Sequence, residues 1–340
     1  MSKTTSHDPL GRSRTEIEVE VTVAILICLT AVFGNLLVLY VANRDSRLRN
    51  VTNLFIHHLA LTDIISATID MPFWITSLYT GAWNFGQVWC QVAGSTFNFL
   101  GCASILMMGL IAFNRYMKVV KPTLYKKVFP NKKAAQMYCV LIWLVAVLMA
   151  ITYLSGWAGI KFHMRLLICS SEHTAYGLVS AGVIINGVMI MIFYCHFRIY
   201  KAVRQSTENL NVHAEGNGIR SLNDTGRFNI TEIRVLNACF TVACFFVITY
   251  IPVYIIIVTW NFRFDVPQTV HIASIFLKFS GSMVNPFIYG IVNPLFKVAF
   301  KRALSFGRYG NSDTNQNLSR NRVAVVEMTG RNWTIFTHHN

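Results

Sequence analysis

One stretch of the chain, from Cys90 to Arg115, contains no Asp, Glu, Lys or Arg between its two ends. It exceeds the roughly 20 apolar residues that a helix needs to cross the hydrocarbon core of a bilayer at about 1.5 Å per residue. An uncharged helix of this length that ends in an arginine is unusual for the core of a soluble protein. The pattern is typical of a membrane-spanning helix whose arginine lies at the edge of the bilayer and has a function there.

The composition of the whole chain indicates an integral membrane protein. Of its 340 residues, 54% are hydrophobic and 13% are charged, whereas soluble domains carry about 25% charged residues. Seven apolar runs are each long enough to span a membrane. They cover residues 21–42, 53–79, 88–119, 134–153, 176–200, 235–260 and 266–292. Because lipid cannot satisfy backbone polar groups, we expect seven helices and therefore an all-α membrane protein with a seven-transmembrane helix bundle.

The basic residues between the apolar runs predict the orientation. A net charge of +15 would suggest nucleic-acid binding in a soluble protein, but here lysines and arginines flank membrane spans and set topology instead. The first, third and fifth connections are rich in bases, whereas the second, around 81–85, has no charge. Positive residues accumulate on the cytoplasmic side. We therefore predict a multi-pass protein of the plasma membrane with an extracellular N-terminus and a cytoplasmic C-terminus.

The ends of the chain complete the predicted organisation. Residues 1–16 form an extracellular tail, 17–292 the transmembrane domain, 293–304 a short amphipathic cytoplasmic helix and 305–340 a cytoplasmic tail. Pro294 suits the first turn of that short helix. Apolar residues at helical spacing with interleaved bases predict that it lies on the inner leaflet.

Short motifs occur in nearly every apolar run, in a fixed order. They are Gly34-Asn35, Leu59-Ala60-Leu61-Thr62-Asp63, Trp83-Asn84-Phe85-Gly86 before Cys90, Asn114-Arg115-Tyr116, Trp143, Pro252 after Phe246, and Asn285-Pro286-Phe287-Ile288-Tyr289. Each is weak alone, but together they make the chain resemble the rhodopsin-like (class A) G-protein-coupled receptors over about residues 34–304. The resemblance implies a receptor that transmits an extracellular small-ligand signal to heterotrimeric G proteins.

Two subgroups share further features, and the subgroup stays open. The outer-loop motif and Asn114, in place of the usual acid, are similar to melatonin receptors, although Pro286 departs from them. Opsins carry a retinal-binding lysine six residues before the Asn of the Asn-Pro motif. Here Phe279 holds that place and Lys278 is one residue early, a rotation of about 100°. We therefore do not expect bound retinal, and an opsin-like photoreceptor that uses Lys278, with Asp70 as counter-ion, is the alternative.

Two structural features follow from the topology and the resemblance. Cys90 and Cys169 both face the oxidising outer side, where we expect them to form a disulfide.

The resemblance further implies that Asp63 and Ser104 hold a sodium ion within a polar layer. Oxygen ligands suit this hard cation. The predicted sodium-site residues are Asp63, Ser104, Ser282 and Asn285. The alternative is a hydrogen-bonded cluster without sodium.

The cytoplasmic switch is predicted from the same resemblance. Its residues are Asn114, Arg115, Tyr116, Glu232 and Tyr289. An acid is expected to hold Arg115 in the inactive receptor and to release it when the sixth helix moves outward. Because Asn114 replaces the neighbouring acid, we predict that Glu232 alone restrains Arg115 through a charge-assisted pair. The alternative is that Glu232 is a solvated acid at the start of a helix. Tyr289 is expected to move inward in the active state.

The ligand pocket is predicted from spacing. Asp63 and Asp70 are seven apart, as are Lys278 and Asn285, so each pair should share one helix face about 10 Å apart in depth. We predict an ion pair between Asp70 and Lys278 at the floor of the pocket, because a lone charge there would be costly. The other predicted ligand-binding residues are Phe97, Asn98, Tyr250 and Tyr254. The alternatives are a permanent structural pair, a lysine that snorkels, or a register shift from a proline kink in the second helix.

Other classes of function are less well supported. An ion channel or transporter could use the buried charges as a path, but such proteins usually contain internal repeats, which we do not find here. The sequence contains no evident nucleophile–base pair and no evident phosphate-binding loop, so it does not indicate an enzyme. The expected partners are a heterotrimeric G protein, a small-molecule ligand and the lipid bilayer, with no nucleic acid.

Overall fold

The computed structural model describes residues 8–155, 159–171, 185–205, 230–261, 266–305, 324–329 and 332–337. Within these residues, seven long helices follow the predicted apolar runs. They are α1 (Arg14–Arg44), α2 (Val51–Thr80), α3 (Gly86–Val120), α4 (Lys132–Leu154), α5 (185–205), α6 (Ile230–Asn261) and α7 (Gln268–Val292). Six of them are long and apolar enough to cross a membrane, and of α5 only residues 185–205 are described. Residues 172–184, which include the beginning of the predicted fifth run, lie outside the described residues.

Polar caps explain where several helices begin. Ser13 and Glu16 form a reciprocal capping box at the start of α1, in which each side chain accepts from the other residue's backbone N–H. Asn50 and Asn131 cap α2 and α4 by a single hydrogen bond each, accepting from the backbone N–H three residues later. These caps satisfy N–H groups that a helix start leaves without intrahelical partners.

The shorter elements connect or follow these helices. A helix at Pro122–Val128 joins α3 to α4. Strands β1 (Ile160–His163) and β2 (Ile168–Ser171) form an antiparallel hairpin in the fourth connection. Helix α8 (Pro294–Leu304) begins at the predicted proline. Strands β3 (Ala324–Thr329) and β4 (Asn332–Thr337) also pair as an antiparallel hairpin, which the sequence analysis did not predict.

The seven helices pack into a bundle that is apolar on its outside. Helix α1 packs against α2 and α7, α3 against α2 and α4, and α6 against α7. Large apolar side chains face outward, including Phe33 at 67% exposure and Ile190 at 69%. Conversely, buried positions hold polar residues such as Asn35 and Asp63. This inverted distribution fits a protein whose surrounding solvent is lipid.

Two local features shape the bundle near its polar centre. At Gly34 of α1, an added Cβ would lie 2.9 Å from Cγ of Pro286, so these two helices approach closely at the motif positions. In α2, the segment Ser66–Asp70 is π-helical. A π-turn contains about one more residue than an α-turn, so the outer half of α2 is rotated relative to the inner half.

Candidate functional site

A small cavity lies beneath the β1–β2 hairpin. Its walls come from α2, the loop after it, α3, α7 and the hairpin. Five aromatic rings, one carboxylate and a few apolar side chains form the lining. The lining residues are Asp70, Phe73, Trp74, Trp83, Ala93, Phe97, Leu167, Ile168, Cys169 and Phe279. A mostly apolar concave site with one fixed polar group is typical of a small-molecule site.

The hairpin that covers the cavity is anchored to α3 at three points. The predicted disulfide between Cys90 and Cys169 is confirmed, with Cα atoms 5.4 Å apart. Gln87 donates from Nε2 to the Ile160 carbonyl at 3.0 Å. At Gly94, an added Cβ would lie 2.7 Å from Cγ2 of Ile160, so the hairpin backbone approaches α3 where only a glycine leaves room. The cover is therefore held closely against the helix.

Asp70 lies on the cavity wall and is 4% exposed. Its two carboxylate oxygens accept from Thr96 at 2.8 Å and from Ser66 at 3.1 Å. No direct ion pair joins it to Lys278 among the described residues, whose ion pairs all lie elsewhere. The predicted contact does not form because the π-helical turn at Ser66–Asp70 changes the phase that the seven-residue spacing assumed.

Lys278 is 6% exposed and lies against aromatic rings instead. Its Nζ is 3.7 Å from the ring centroid of Phe97 and 4.3 Å from that of Phe279, which are cation–π distances. These two rings separate the ammonium from the cavity, whose lining does not include Lys278.

Of the other predicted ligand residues, only Phe97 lines this cavity. Asn98 donates to the Gly94 carbonyl of its own helix at 2.7 Å. Tyr250 stacks on Phe246 with ring centroids 4.2 Å apart. Tyr254 accepts from Asn186 at 2.7 Å, which ties α6 to α5. Asn98 and Tyr250 thus make contacts within their own helices, and Tyr254 makes a contact between two helices. None of the three lines the described cavity.

The polar layer around Asp63 is held by donors. Ser282 donates to Oδ1 of Asp63 at 2.7 Å and Asn285 donates to Oδ2 at 2.9 Å. Ser104, the other predicted sodium ligand, donates to Thr62 at 3.2 Å. Two of the predicted sodium-site residues, Ser282 and Asn285, therefore meet at Asp63. Carboxylate and hydroxyl oxygens are ligands that a hard cation accepts, and the sodium site stays a prediction.

The switch residues lie at the opposite end of the bundle from the hairpin. Arg115 is 7% exposed and its Nε has no hydrogen-bond partner among the described residues. Asn114 is turned toward α2, where its Oδ1 accepts from Thr52 at 2.8 Å. Tyr289 is buried and its ring stacks on Phe296 at 5.5 Å. Tyr116 packs on Tyr194 of α5 at 5.9 Å.

Glu232 lies within α6, but its side chain is outside the described part of the structure. The predicted pair between Glu232 and Arg115 therefore stays a prediction.

A cluster of charged side chains surrounds Arg12, which precedes α1. Arg12 donates to Asp8 at 3.0 Å, to Glu20 at 2.7 Å and to the Leu78 carbonyl at 2.9 Å. Hydrogen bonding from Arg12 lowers the pKa of Asp8 below its ordinary value of 3.8. We call Asp8, Arg12 and Glu20 the outer clasp, because they tie the segment before α1 to the end of α2.

Several site residues were missed by sequence reasoning. Trp83 was noticed only as part of a loop motif, and Phe279 only as a neighbour of Lys278. Thr96 and Thr52 carry no signal of their own, since each matters through one partner on another helix. Leu167, which is fully buried at the hairpin turn with φ of 56°, could not be found from its residue type.

Comparisons with known proteins agree with this arrangement. Residues 34–289 match the family described as 7 transmembrane receptor (rhodopsin family). Melatonin receptor type 1A-A of Danio rerio is 26% identical over 80% of this chain and 76% of its own length. Histamine H2 receptor of Homo sapiens is 26% identical over 94% of this chain and 88% of its own. The crystal structure of squid rhodopsin aligns with a TM-score of 0.70 at 20% identity, covering 90% of this chain and 92% of that chain.

The chain therefore belongs to the rhodopsin family of seven-transmembrane receptors. It is a multi-pass membrane protein and a G-protein-coupled receptor. The predicted fold class is confirmed. Members of this family are receptors, so the expectation that the chain is not an enzyme is confirmed, and the channel or transporter alternative is not supported.

Proposed function

We propose that this receptor binds a small organic ligand in the cavity beneath the β1–β2 hairpin and transmits the event to a heterotrimeric G protein near Arg115. The observation that carries the proposal is the lining of the cavity, which consists of five aromatic rings, apolar side chains and the Asp70 carboxylate. The names of the relatives include melatonin and histamine, which supports a small organic molecule as the ligand class.

The same proposal includes an orientation. The N-terminus and the hairpin face the outside of the cell, and the base-rich first, third and fifth connections face the cytosol. The Cys90–Cys169 disulfide supports this orientation, because such bonds persist in oxidising compartments. An N-terminal epitope should be stained on intact cells, and a C-terminal epitope only after permeabilisation. The reverse staining would contradict the proposal.

The path between the two ends runs through α7. Phe279 lines the cavity, while Asn285 and Tyr289 lie further along the same helix beside Asp63 and Phe296. A ligand can shift the receptor only through contacts that differ between its states. Displacement of the Phe97–Phe279 pair, whose ring centroids are 6.1 Å apart, would supply such a difference.

Guanine-nucleotide exchange by purified receptor with G protein tests the function directly. The ligand panel includes melatonin, histamine, and all-trans and 11-cis retinal, with absorbance recorded for the two retinals. For any active compound, Phe97→Ala should raise the half-maximal concentration roughly tenfold or more, since it removes one well-packed aromatic contact. The matched control is Phe33→Ala on the outer face of α1, which is 67% exposed and should leave the response unchanged.

If Phe97→Ala and Phe33→Ala have the same half-maximal concentration, the ligand binds outside the cavity beneath the hairpin. Ion flux through reconstituted vesicles without nucleotide exchange would reject the receptor mechanism. A visible absorbance band with 11-cis retinal that disappears in Lys278→Met would favour the photoreceptor alternative.

A further inference from the structure

The π-turn of α2 leaves one backbone carbonyl without a donor in its own helix. The N–H of Met71 donates to the Ser66 carbonyl, five residues earlier. At the same spacing, the next carbonyl, that of Ala67, would accept from the N–H of residue 72. This residue is Pro72, which has no N–H. Ala67 is 1% exposed, and an unpaired carbonyl is costly inside a bundle that lipid surrounds.

A thiol on the neighbouring helix supplies the missing donor. Cys28 of α1 donates from Sγ to the Ala67 carbonyl oxygen at 3.1 Å. Polar side chains in a helix often bond to a carbonyl of the preceding turn instead, as Thr30 of α1 does with Leu26 at 2.6 Å. The Cys28 thiol therefore replaces, from α1, the hydrogen bond that the proline removes from α2.

The register of this turn orients one wall of the cavity. Asp70, the last residue of the π-turn, accepts from Thr96 of α3 at 2.8 Å and from Ser66 at 3.1 Å. Trp74, one turn further along α2, lines the cavity together with Asp70. A return of α2 to the regular α-helical register would rotate both side chains by about 100° relative to the inner half of the helix. The carboxylate would then leave Thr96.

We propose that Cys28 is a positioning residue of the ligand cavity. Its thiol donates the hydrogen bond that Pro72 cannot donate, and it thereby stabilises the π-turn that directs Asp70 to Thr96. The positioning role rests on the proposed function, since it takes the cavity as the ligand site. The hydrogen bond itself is tested without ligand or G protein.

The first test is a double-mutant cycle that measures thermal unfolding of the purified full-length receptor. Cys28→Ala should lower the unfolding temperature on the order of 2–5 °C, because it leaves the Ala67 carbonyl unpaired. In the Pro72→Ala background, residue 72 has an N–H that can pair with this carbonyl. The same cysteine substitution should therefore lower the unfolding temperature much less there. Equal losses in the two backgrounds would overturn the proposal.

Two comparisons separate hydrogen bonding from packing. Cys102→Ala removes another half-buried thiol, on α3, and should have the same effect in both backgrounds. Cys28→Ser keeps a donor, whereas Cys28→Val fills the space without one. The serine variant should therefore be more stable than the valine variant. If valine is tolerated better than serine, Cys28 acts by packing and the proposal is overturned.

The second test observes the bond by infrared spectroscopy and needs no destabilised background. Thiol S–H groups absorb where other protein groups do not, and a hydrogen-bonded S–H absorbs at lower frequency than a free one. The spectrum of the wild type minus that of Cys28→Ala isolates this band, and Cys28→Ser serves for the subtraction if the alanine variant does not fold. The band should lie at the hydrogen-bonded frequency. A band at the free-thiol frequency would overturn the proposal.

The third test measures the consequence for the ligand. For a compound that is active in nucleotide exchange, Cys28→Ala should raise the half-maximal concentration several-fold and leave the maximal response per folded receptor unchanged. Cys28→Ser should lie closer to the wild type. A merely less stable receptor would lose folded protein at constant half-maximal concentration, and that result would overturn the positioning role. If no compound is active, the proposed function fails, while the unfolding cycle and the infrared band still decide the hydrogen bond.

Discussion

At the residue scale, Gly94 decides how closely the hairpin approaches α3. A Cβ at this position would meet Ile160 at 2.7 Å and the Cys169 carbonyl oxygen at 3.1 Å. The side chain can rotate away, but the carbonyl belongs to a disulfide-anchored strand. A single methyl group should therefore displace the cover of the cavity.

We predict that Gly94→Ala lowers the unfolding temperature and weakens ligand binding, whereas Gly101→Ala on the same helix does neither. Gly101 has nothing within 4 Å of an added Cβ. Alanine stabilises a helix by about 1 kcal/mol relative to glycine, so the control should be neutral or slightly stabilised. Overpacking at Gly94 should cost about 1–3 kcal/mol. Parallel thermal unfolding of the two variants checks this, and equal effects would contradict the close approach.

The residue scale also shows where sequence reasoning succeeds. The contact of Asn285 with Asp63 was expected from two motifs that the family keeps on different helices, and it forms at 2.9 Å. The pair between Asp70 and Lys278 was expected from spacing alone and does not form directly. Spacing assumes a regular helix, and nothing in the residues of Ser66–Asp70 announces a π-turn.

At the element scale, the β1–β2 hairpin depends on its disulfide. The bond joins residues separated by 79 positions, and it connects the hairpin to α3. In the chain-entropy account, closing a loop of this length contributes about 4.5 kcal/mol. This is an upper estimate here, since helices that stay in the membrane already restrict the unfolded chain.

Replacing Cys90 and Cys169 by alanine should therefore lower the unfolding temperature and open the cavity. The measurement is thermal unfolding with and without a reducing agent. Reduction should destabilise the wild type but not the double variant. Cys244→Ala, which removes a half-buried free thiol, serves as the control and should keep the response to reduction. A wild type indifferent to reductant would contradict the anchoring role.

The outer clasp predicts a pH dependence at the start of α1. Arg12 favours the ionised form of Asp8, so the folded-state pKa is lower than the unfolded value of 3.8. A depressed pKa contributes stability that is fully present above the unfolded value and is lost as pH falls through the folded value. Amide hydrogen exchange of residues 8–20, corrected for its intrinsic pH dependence, should therefore accelerate below about pH 4. In Asp8→Asn this acceleration should be smaller, and the part that remains comes from Glu16, whose carboxylate in the capping box also has a lowered pKa.

At the scale of the whole molecule, the predicted switch depends on which acid holds Arg115. Asn114 bonds to Thr52 and offers no charge, and the guanidinium Nε has no partner among the described residues. Glu232 is the acid predicted from sequence to supply the restraint. A charge-assisted hydrogen bond contributes about 1.5–3 kcal/mol, enough to change the active population roughly tenfold or more.

Glu232→Ala should accordingly raise agonist-free nucleotide exchange, with Thr231→Ala as the neighbouring control. Adding Asn114→Asp to the Glu232 variant should lower the rate again, because it places a carboxylate next to Arg115 while keeping an acceptor for Thr52. Unchanged basal exchange in Glu232→Ala, measured at equal receptor amounts, would contradict the restraint.

The overall architecture could be predicted because lipid imposes strict requirements on sequence. Long runs without charge, separated by base-rich connections, predict helices that the structure contains. The hairpin over the cavity could not be predicted, since it is held by one disulfide and by close packing at Gly94 instead of by any periodic pattern. Strands β3 and β4 were missed because hydropathy does not measure the preference of β-branched residues, such as those in 324–337, for strands.

The π-turn in α2 has a consequence for comparing this receptor with others. Positions in the outer half of the helix, such as Trp74, are displaced by about one residue relative to a regular helix counted outward from Asp63. An ungapped alignment would therefore equate Asp70 with a neighbour of its true spatial counterpart in any receptor whose helix is regular there. A single alignment gap within Ser66–Asp70 restores the correspondence, and pharmacology transferred between receptors without that gap would be assigned to the wrong side chains.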